Sequence, residues 1–288
     1  MESHSAVEPL TVVVAYGKRD LTQACVDRFG DPQALVVVDN GLDDELRAAM
    51  TALEVRYIRP EANVGFAAAV NLAMSTCRSP GQSVLLLNPD ALVTSAQAAQ
   101  LADALTEHDG IAAVAPLLHS ADGGRQRTAW PMPTPGRVWS GVFGLGDRRL
   151  TDVFLSGAVL MLSGAALDTL GGLDERYFLY SEETDWQRRA LAAGWTLRIV
   201  DSLDVEHLGG ATSADVQMRE LLFHASGEAY FRKWHGSLGW AVARTGSLAA
   251  ALRRAAQGDR RQLQVAALYL RGPQRVAQRA RSRGGVQG

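Results

Sequence analysis

The sequence predicts an α/β protein with a mostly parallel central sheet flanked by helices and followed by C-terminal helices. Three observations carry this expectation. Short continuous runs of valine and leucine recur through the first 115 residues, as strands buried on both faces require. Helix-like stretches separate those runs, so strand and helix alternate four times, which is the signature of βαβ units with right-handed crossovers. The 288 residues, 47% hydrophobic and 21% charged, are enough for one large α/β unit or two smaller ones and exclude a wholly disordered chain.

Taken in order, Leu10–Ala15 is a buried strand, Asp20–Phe29 a helix and Ala34–Val38 a second strand ending in the turn Asp39-Asn40-Gly41. Asp43–Leu53 is a helix with acids in its first turn, where the helix dipole favours them. Val55–Ile58 is a strand, Gly65–Thr76 a helix, Ser83–Leu87 a strand, Ser95–Glu107 a helix capped by Ser95, and Ile111–Ala115 a fifth strand. The pattern then breaks. Residues 119–151 carry Pro131, Pro133, Pro135, Trp130 and Trp139 and read as a long irregular loop, of a length that often serves as a lid. Order resumes with Val153–Leu162, a helix from Ser163, a turn, a helix over Glu182–Ala193, and short strands at Thr196–Val200 and Val205–His207. Helices follow from Asp215 to the end. The reading divides the chain into a main unit, residues 1–235, and a helical arginine-rich extension, residues 236–288.

The net charge of −2 conceals an uneven distribution. Residues 251–288 hold nine arginines against the single acid Asp259, so the first 250 residues carry ten more acids than bases. The acidic body argues against nucleic acid as a partner. The basic tail reads either as a solvated terminus or as a weak attachment to an anionic membrane surface. Residues 1–9 include Glu2 and Glu8 and lack the apolar core of a signal peptide. The longest apolar stretch, Phe154–Leu167, is too short to span a bilayer. Cys25 and Cys77 show no metal or redox spacing and read as free thiols of a reducing compartment. A cytoplasmic protein, at most peripheral on the inner face of the plasma membrane, is expected.

In open α/β sheets ligands gather beyond the carboxyl ends of the strands, which directs attention to Tyr16, Asp39, Asn63 and Asn88-Pro89-Asp90. A carboxylate at Asp39 can accept hydrogen bonds from a pyrimidine imide or ribose hydroxyls, or simply form its own turn. Asp90 can hold Mg2+ or Mn2+ together with phosphate oxygens, although Asn-Pro-Asp is also an ordinary turn. Glu182, Glu183 and Asp185 crowd three carboxylates into four residues, which calls for a cation or a raised pKa. Helical spacing puts Glu182 beside Asp185 and Asp185 beside Arg189, leaving Glu183 free as a general base. His207, followed by Gly209-Gly210, is a candidate metal ligand or phosphate contact, or a structural histidine. No GxGxxG follows the first strand, and P-loop, HExxH and GxSxG motifs are absent, which disfavours dehydrogenases, P-loop enzymes, zinc proteases and serine hydrolases.

The ordered series VVVAY, VVVDNG, RPEANVGFAAAVN, LLLNPD, FLSGAVLM, GGLDERYFLYSEETDWQRRALAAGW and VEHLGG resembles the family 2 glycosyltransferases of GT-A fold, over residues 10 to 235. It is similar in particular to the bacterial rhamnosyltransferase branch, which includes actinobacterial enzymes acting on cell-wall linkage lipids. The resemblance implies that Asp39 holds the nucleotide base, that Asn63, Gly65 and Asn71 belong to the nucleotide segment, and that Asn88 and Asp90 stand for the DxD metal motif. It implies Glu183 as catalytic base, with Glu182 and Asp185 in the same acidic motif and Tyr16 and Arg189 at the donor site. His207 is implied as a second metal ligand and Ser156-Gly157 as backbone near donor sugar and acceptor. The expected activity is inverting transfer of a sugar, L-rhamnose from dTDP-rhamnose by branch likeness, to a glycan, lipid-linked or small-molecule acceptor hydroxyl with Mg2+ or Mn2+. Cell-envelope glycan synthesis is the expected setting. The alternatives are tailoring of a small secondary metabolite, a nucleotidyltransferase, or a nucleotide-sugar binder without catalysis.

Overall fold

The computed structural model describes residues 8–145, 152–209 and 216–283. The N-terminal residues 1–7, residues 146–151 of the irregular segment, residues 210–215 and residues 284–288 lie outside the described residues. In chain order the elements are β1 (Leu10–Ala15), α1 (Arg19–Phe29), β2 (Leu35–Asp39), α2 (Asp44–Ala52), β3 (Arg56–Ile58), α3 (Phe66–Cys77), β4 (Val84–Leu87), β5 (Ala91–Leu92) and α4 (Ser95–Thr106). Then come β6 (Ile111–His119), β7 (Arg125–Gln126), β8 (Ala129–Pro131), α5 (Pro135–Val142), β9 (Val153–Leu155), β10 (Val159–Leu162) and α6 (Gly164–Leu170). The chain closes with α7 (Glu182–Ala192), β11 (Thr196–His207), α8 (Val216–Ala256), α9 (Gln262–Arg271) and α10 (Pro273–Arg283).

The main sheet runs β3-β2-β1-β4-β10-β6-β11-β5, with β7 on β6. The first half is parallel throughout: β1 pairs β2 and β4, and β2 pairs β3. The α/β class is as expected, with one feature that local pattern does not disclose. β10 enters antiparallel between β4 and β6, so the parallel pair β6–β11 lies beyond it. The continuous apolar runs follow from burial on both faces. Val13, Leu35, Val37, Leu85 and Leu87 pack on one face against Phe29, Met50 and Leu101. Val12, Val36, Val38 and Leu86 pack on the other with Val70, Leu160 and Trp186.

Four local expectations differ from the structure. Thr94, not Ser95, caps α4: its hydroxyl accepts from the Gln97 amide, and the Gln97 side chain reaches back in a capping box. Thr196–His207 is one strand rather than two, irregular in register between Val200 and Asp204. Val153–Leu162 is two strands, β9 and β10, separated by Ser156–Ala158. The irregular segment contains β7, β8 and α5, because Thr134 caps α5 and Pro135 supplies the fixed φ suited to a first helical turn.

Helix α8 continues across residue 235 and breaks at Gly236, which has φ 65°. Beyond the break, Trp240, Ala243 and Ala251 of α8 pack with Val265, Ala266 and Tyr269 of α9 and with Phe231. Among the described residues no helix is long and apolar enough to cross a membrane.

The loop entering β4 is clamped to α6. Arg78 pairs with Asp168 at 2.7 Å, the Gly81 amide donates to the same carboxylate at 2.8 Å, and Arg78 also reaches the Gly164 carbonyl. A Cβ on Gly164 would run into the Gly81 carbonyl. Gly164→Ala is expected to cost about 1–3 kcal/mol, as overpacking against backbone does; a thermal unfolding midpoint equal to that of the wild type would refute this.

Candidate active site

Strand ends, the Gly65 turn, the start of α7, and α8 and α10 enclose a cavity of about 490 Å3. Of the residues singled out from sequence, Tyr16, Asn63, Gly65, Asn88, Asp90, Ser156, Gly157, Glu182, Glu183 and His207 line it. Asp39, Asn71, Asp185 and Arg189 do not, and their polar atoms have other work.

Asp39 is buried at the end of β2 and closes its own turn. It accepts from the Gly41 and Asp43 amides at 2.8 and 2.7 Å and from the Tyr57 hydroxyl at 2.6 Å. Burial and this carboxylate push the Tyr57 phenol well above its ordinary pKa. The neighbouring Asn40 faces the cavity and ties down the next segment: its side-chain amide donates to the Gly65 carbonyl at 3.1 Å. Gly65 has φ 88°, and a Cβ there would sit 2.5 Å from the Phe178 carbonyl, so only glycine suits this turn. Asn71 lies away from the cavity, where it bonds the Leu173 backbone twice and Glu175 once.

Asp90 follows β4 and is 2% exposed. Antiparallel pairing of β5 with the end of β11 sets His207 opposite Ala91, which brings His207 Nε2 to 3.4 Å from Asp90 Oδ1. That Asp90 oxygen is buried and has no hydrogen-bond partner. His207 Nδ1 lies 2.8 Å from Gln126 Oε1, and the Gln126 amide donates to the His207 carbonyl at 2.7 Å. The second bond fixes the orientation of the glutamine amide, so Nδ1 carries a proton and, in the neutral ring, Nε2 presents its lone pair towards Asp90. An unpartnered carboxylate oxygen beside an imidazole lone pair fits a divalent cation whose other positions are left to substrate oxygens and water. Among the described residues no group of three or more His, Cys, Asp and Glu side chains could hold a metal by itself.

The start of α7 supplies the second acidic wall. Tyr180 and Ser181, each at φ 71°, lead into the helix in the left-handed region, a conformation that costs of order 1–3 kcal/mol per residue. The strain is held by the Ser226 hydroxyl donating to the Leu179 carbonyl at 2.7 Å and by Arg219 donating to the Tyr180 hydroxyl at 3.1 Å. The result turns both Glu182 and Glu183 to the cavity. Glu182 is 4% exposed and its Oε2 has no partner. Desolvation, then the charge of Glu183, raises the Glu182 pKa well above the carboxylate range; desolvation also raises that of Glu183. Glu183 packs on Gly157, where a Cβ would meet its Cγ at 3.1 Å. One turn on, Gln187 accepts from the Leu155 amide at 2.7 Å and donates to the Leu155 carbonyl at 3.0 Å, locking α7 to β9.

Asp185 points the opposite way. It is fully buried, accepts from Trp234 Nε1 at 2.7 Å and Tyr177 at 3.2 Å, and has Lys233 Nζ at 2.7 Å. Arg189 pairs with it at 3.3 Å, as the i, i+4 spacing predicts, and donates to the Leu170 and Gly172 carbonyls. Sequence reasoning placed Glu182 on the face of Asp185; the cavity separates them. It also missed Gln126, Gln187, Phe178, Tyr180, Arg219 and Arg281. No local signal marks Gln126 or Gln187, because each acts through a partner more than thirty residues away.

The sequence profile of glycosyl transferase family 2 matches residues 11–161. An N-acetylglucosaminyl-diphospho-decaprenol L-rhamnosyltransferase of Mycobacterium tuberculosis is 27% identical over 254 residues, covering 76% of this chain and 81% of its own. Among solved structures, a mannosyltransferase of Pyrobaculum calidifontis in complex with GDP-Man and Mn2+ aligns with TM-score 0.54 and 16% identity, covering 94% of this chain and 83% of its own. Glucosyl-3-phosphoglycerate synthase of Mycobacterium tuberculosis in complex with Mg2+ and UDP aligns with TM-score 0.50 and 16% identity over 75% of each chain. The fold is that of the GT-A glycosyltransferases.

If Asp90 and His207 hold a cation, Gln126 sets the tautomer that allows it. Gln126→Ala is expected to weaken Mn2+ binding about 10–100-fold, as loss of such an orienting partner does. Calorimetric titration of Mn2+ in the presence of a nucleoside diphosphate checks this, and an unchanged affinity would remove Gln126 from the role.

Proposed function

The chain belongs to glycosyl transferase family 2, and from that premise we propose that it is a metal-dependent, inverting glycosyltransferase. One observation supports this most: two buried carboxylate oxygens without partners, on Asp90 and Glu182, face the same cavity as the half-buried Glu183. An unsatisfied buried acceptor costs about 1–3 kcal/mol, and a ligand in the cavity relieves that cost. Asn63, Gly65 and Tyr16 border the nucleotide, Asp39 holds its turn, and Ser156-Gly157 lies beside the reacting centre.

In this reading Glu183 takes the proton of an acceptor hydroxyl as that oxygen bonds to the anomeric carbon and the nucleoside diphosphate departs from the opposite face. Burial, then the charge of Glu183, favours the protonated form of Glu182, in which the carboxyl can donate a hydrogen bond. Asp90 and His207 would hold a divalent cation, which when bound would supply charge neutralisation for the departing diphosphate. Asp185 and Arg189 act through position only, fixing α7.

The mycobacterial relative's activity supports L-rhamnose as the sugar and a diphosphate-linked lipid glycan as acceptor; dTDP-rhamnose is the donor implied by resemblance to the rhamnosyltransferase branch. Such an acceptor suits a protein at the cytoplasmic face of a membrane. Leu252, Leu263 and Leu270 are exposed among Arg253, Arg254, Arg260, Arg261 and Arg271, a surface suited to peripheral contact with anionic lipid. We retain residues 1–235 as the catalytic unit and 236–288 as its helical extension.

Glu183→Gln is expected to keep donor binding and lose transfer by about 10²–10⁴-fold, the usual contribution of a general base. The base works only when ionised and its pKa is raised, so wild-type kcat should fall as pH drops through a limb lying above the ordinary glutamate value of about 4.3. Initial rates on dTDP-rhamnose across pH test both statements. Near-normal turnover by the glutamine variant would exclude Glu183 as base.

A further inference from the structure

The charge pattern sets the arginine-rich tail apart from the acidic body, yet the structure folds its last helix back onto the cavity. Buried Glu228 makes this contact. One carboxylate oxygen accepts from Arg232 at 2.8 Å; the other accepts from the Gln274 amide at 3.0 Å, in the first turn of α10, where the helix dipole favours a negative charge. Ala277 is buried one turn later. The next turn then delivers Ala280 and Arg281 to the cavity wall.

Arg281, an exposed residue, borders the cavity beside Phe178. Its guanidinium carbon stands 3.8 Å from the centroid of the Phe178 ring, a close cation–π contact. Phe178 is itself fixed, since its carbonyl accepts from the Phe66 amide at 2.8 Å across the Gly65 turn. Arg219 lines the same side of the cavity, braced on Tyr180. Among the described residues no carboxylate pairs with Arg281, and its guanidinium is partly desolvated, which lowers its pKa. The cavity lining therefore combines three carboxylates, Asp90, Glu182 and Glu183, with two guanidinium groups, Arg219 and Arg281.

We propose that Arg281, carried by the C-terminal helix α10, is a substrate-binding residue that contacts a diphosphate group in the cavity. The inference rests on the glycosyltransferase reading of that site. A planar guanidinium on a fixed aromatic face is preorganised for two parallel hydrogen bonds to phosphate oxygens. Diphosphate can enter from two sources, the nucleotide of the donor or a lipid diphosphate acceptor, and the position of Phe178 beside the Gly65 turn is compatible with either.

The test uses the full chain in two arms: dTDP and UDP with Mg2+ for the donor side, and farnesyl diphosphate for the acceptor side. Affinities are compared for wild type, Arg281→Ala, Arg281→Gln and Arg281→Lys. Arg275→Ala, an exposed arginine of α10 that does not line the cavity, serves as control. The expected result is a loss of about tenfold in one arm for Arg281→Ala and Arg281→Gln, with a smaller loss for Arg281→Lys and none for Arg275→Ala. The arm that responds identifies the source. Changes below twofold in both arms, or an equal loss in the Arg275 control, would overturn the proposal. Thermal unfolding without ligand verifies that the glutamine variant, which keeps the aliphatic stem, is folded. A wild-type protein that binds no nucleotide would instead count against the glycosyltransferase reading itself.

Discussion

The buried carboxylate of Asp185 is the constraint on which the site depends. Tyr177, Trp234, Lys233 and Arg189 converge on it from the turn before α7, from α8 and from α7 itself. Lys233 extends the network to Asp174, where Arg176 and then Lys233 hold the carboxyl well below the usual carboxylate range. Buried charges are expensive to desolvate, and such a cluster adds little net stability compared with an apolar core. Its effect is geometric. With Asp185 fixed on one face and Gln187 bonded to β9 on another, α7 has one remaining way to present its first turn, and that turn carries Glu182 and Glu183 into the cavity.

This arrangement makes the strain before α7 intelligible. Two consecutive left-handed residues without glycine, Tyr180 and Ser181, persist only when their surroundings over-determine them. The Ser226, Arg219 and Asp185 contacts do so, and all three depend on α8 lying where it does. The cavity shows the opposite economy. Asp90 and Glu182 each leave a buried oxygen unmatched, although neighbouring groups such as Asp39 and Asp185 are fully engaged. Full satisfaction beside deliberate vacancy of hydrogen-bonding capacity separates the side chains that build the site from those that face a ligand.

What the sequence disclosed follows the same division. The strands β1, β2 and β4 are legible because burial on both faces demands unbroken apolar runs. Asp90, Glu183 and His207 are legible because polar residues at strand ends and helix starts are conspicuous against those runs. The insertion of β10 and the pairing of β5 with β11 are long-range choices that leave no local trace, yet they are what bring Asp90 to His207. Residues 119–151 read as irregular because three prolines were weighed as breakers, whereas Pro135 behind Thr134 is a helix start. The helix begins at Glu182 as its sequence predicts, but helical spacing alone could not tell that Asp185 faces the packed side and Glu182 the cavity. Only the strained turn decides that.

The charge of the chain carries a related lesson about distance along the sequence. The nine arginines of residues 251–288 read as one basic tail, and α9 and α10 divide them. Arg253, Arg254, Arg260 and Arg261 lie on the surface near exposed leucines, whereas Arg281, also exposed, borders the cavity and packs on Phe178. The division depends on Glu228, an acid of the main unit that anchors the first turn of α10. An electrostatic attraction summed over the whole tail would be diffuse and would weaken within a Debye length. A single buried carboxylate at a helix end instead converts part of that charge into a defined position, which places a cation in the same cavity as the carboxylates of the site.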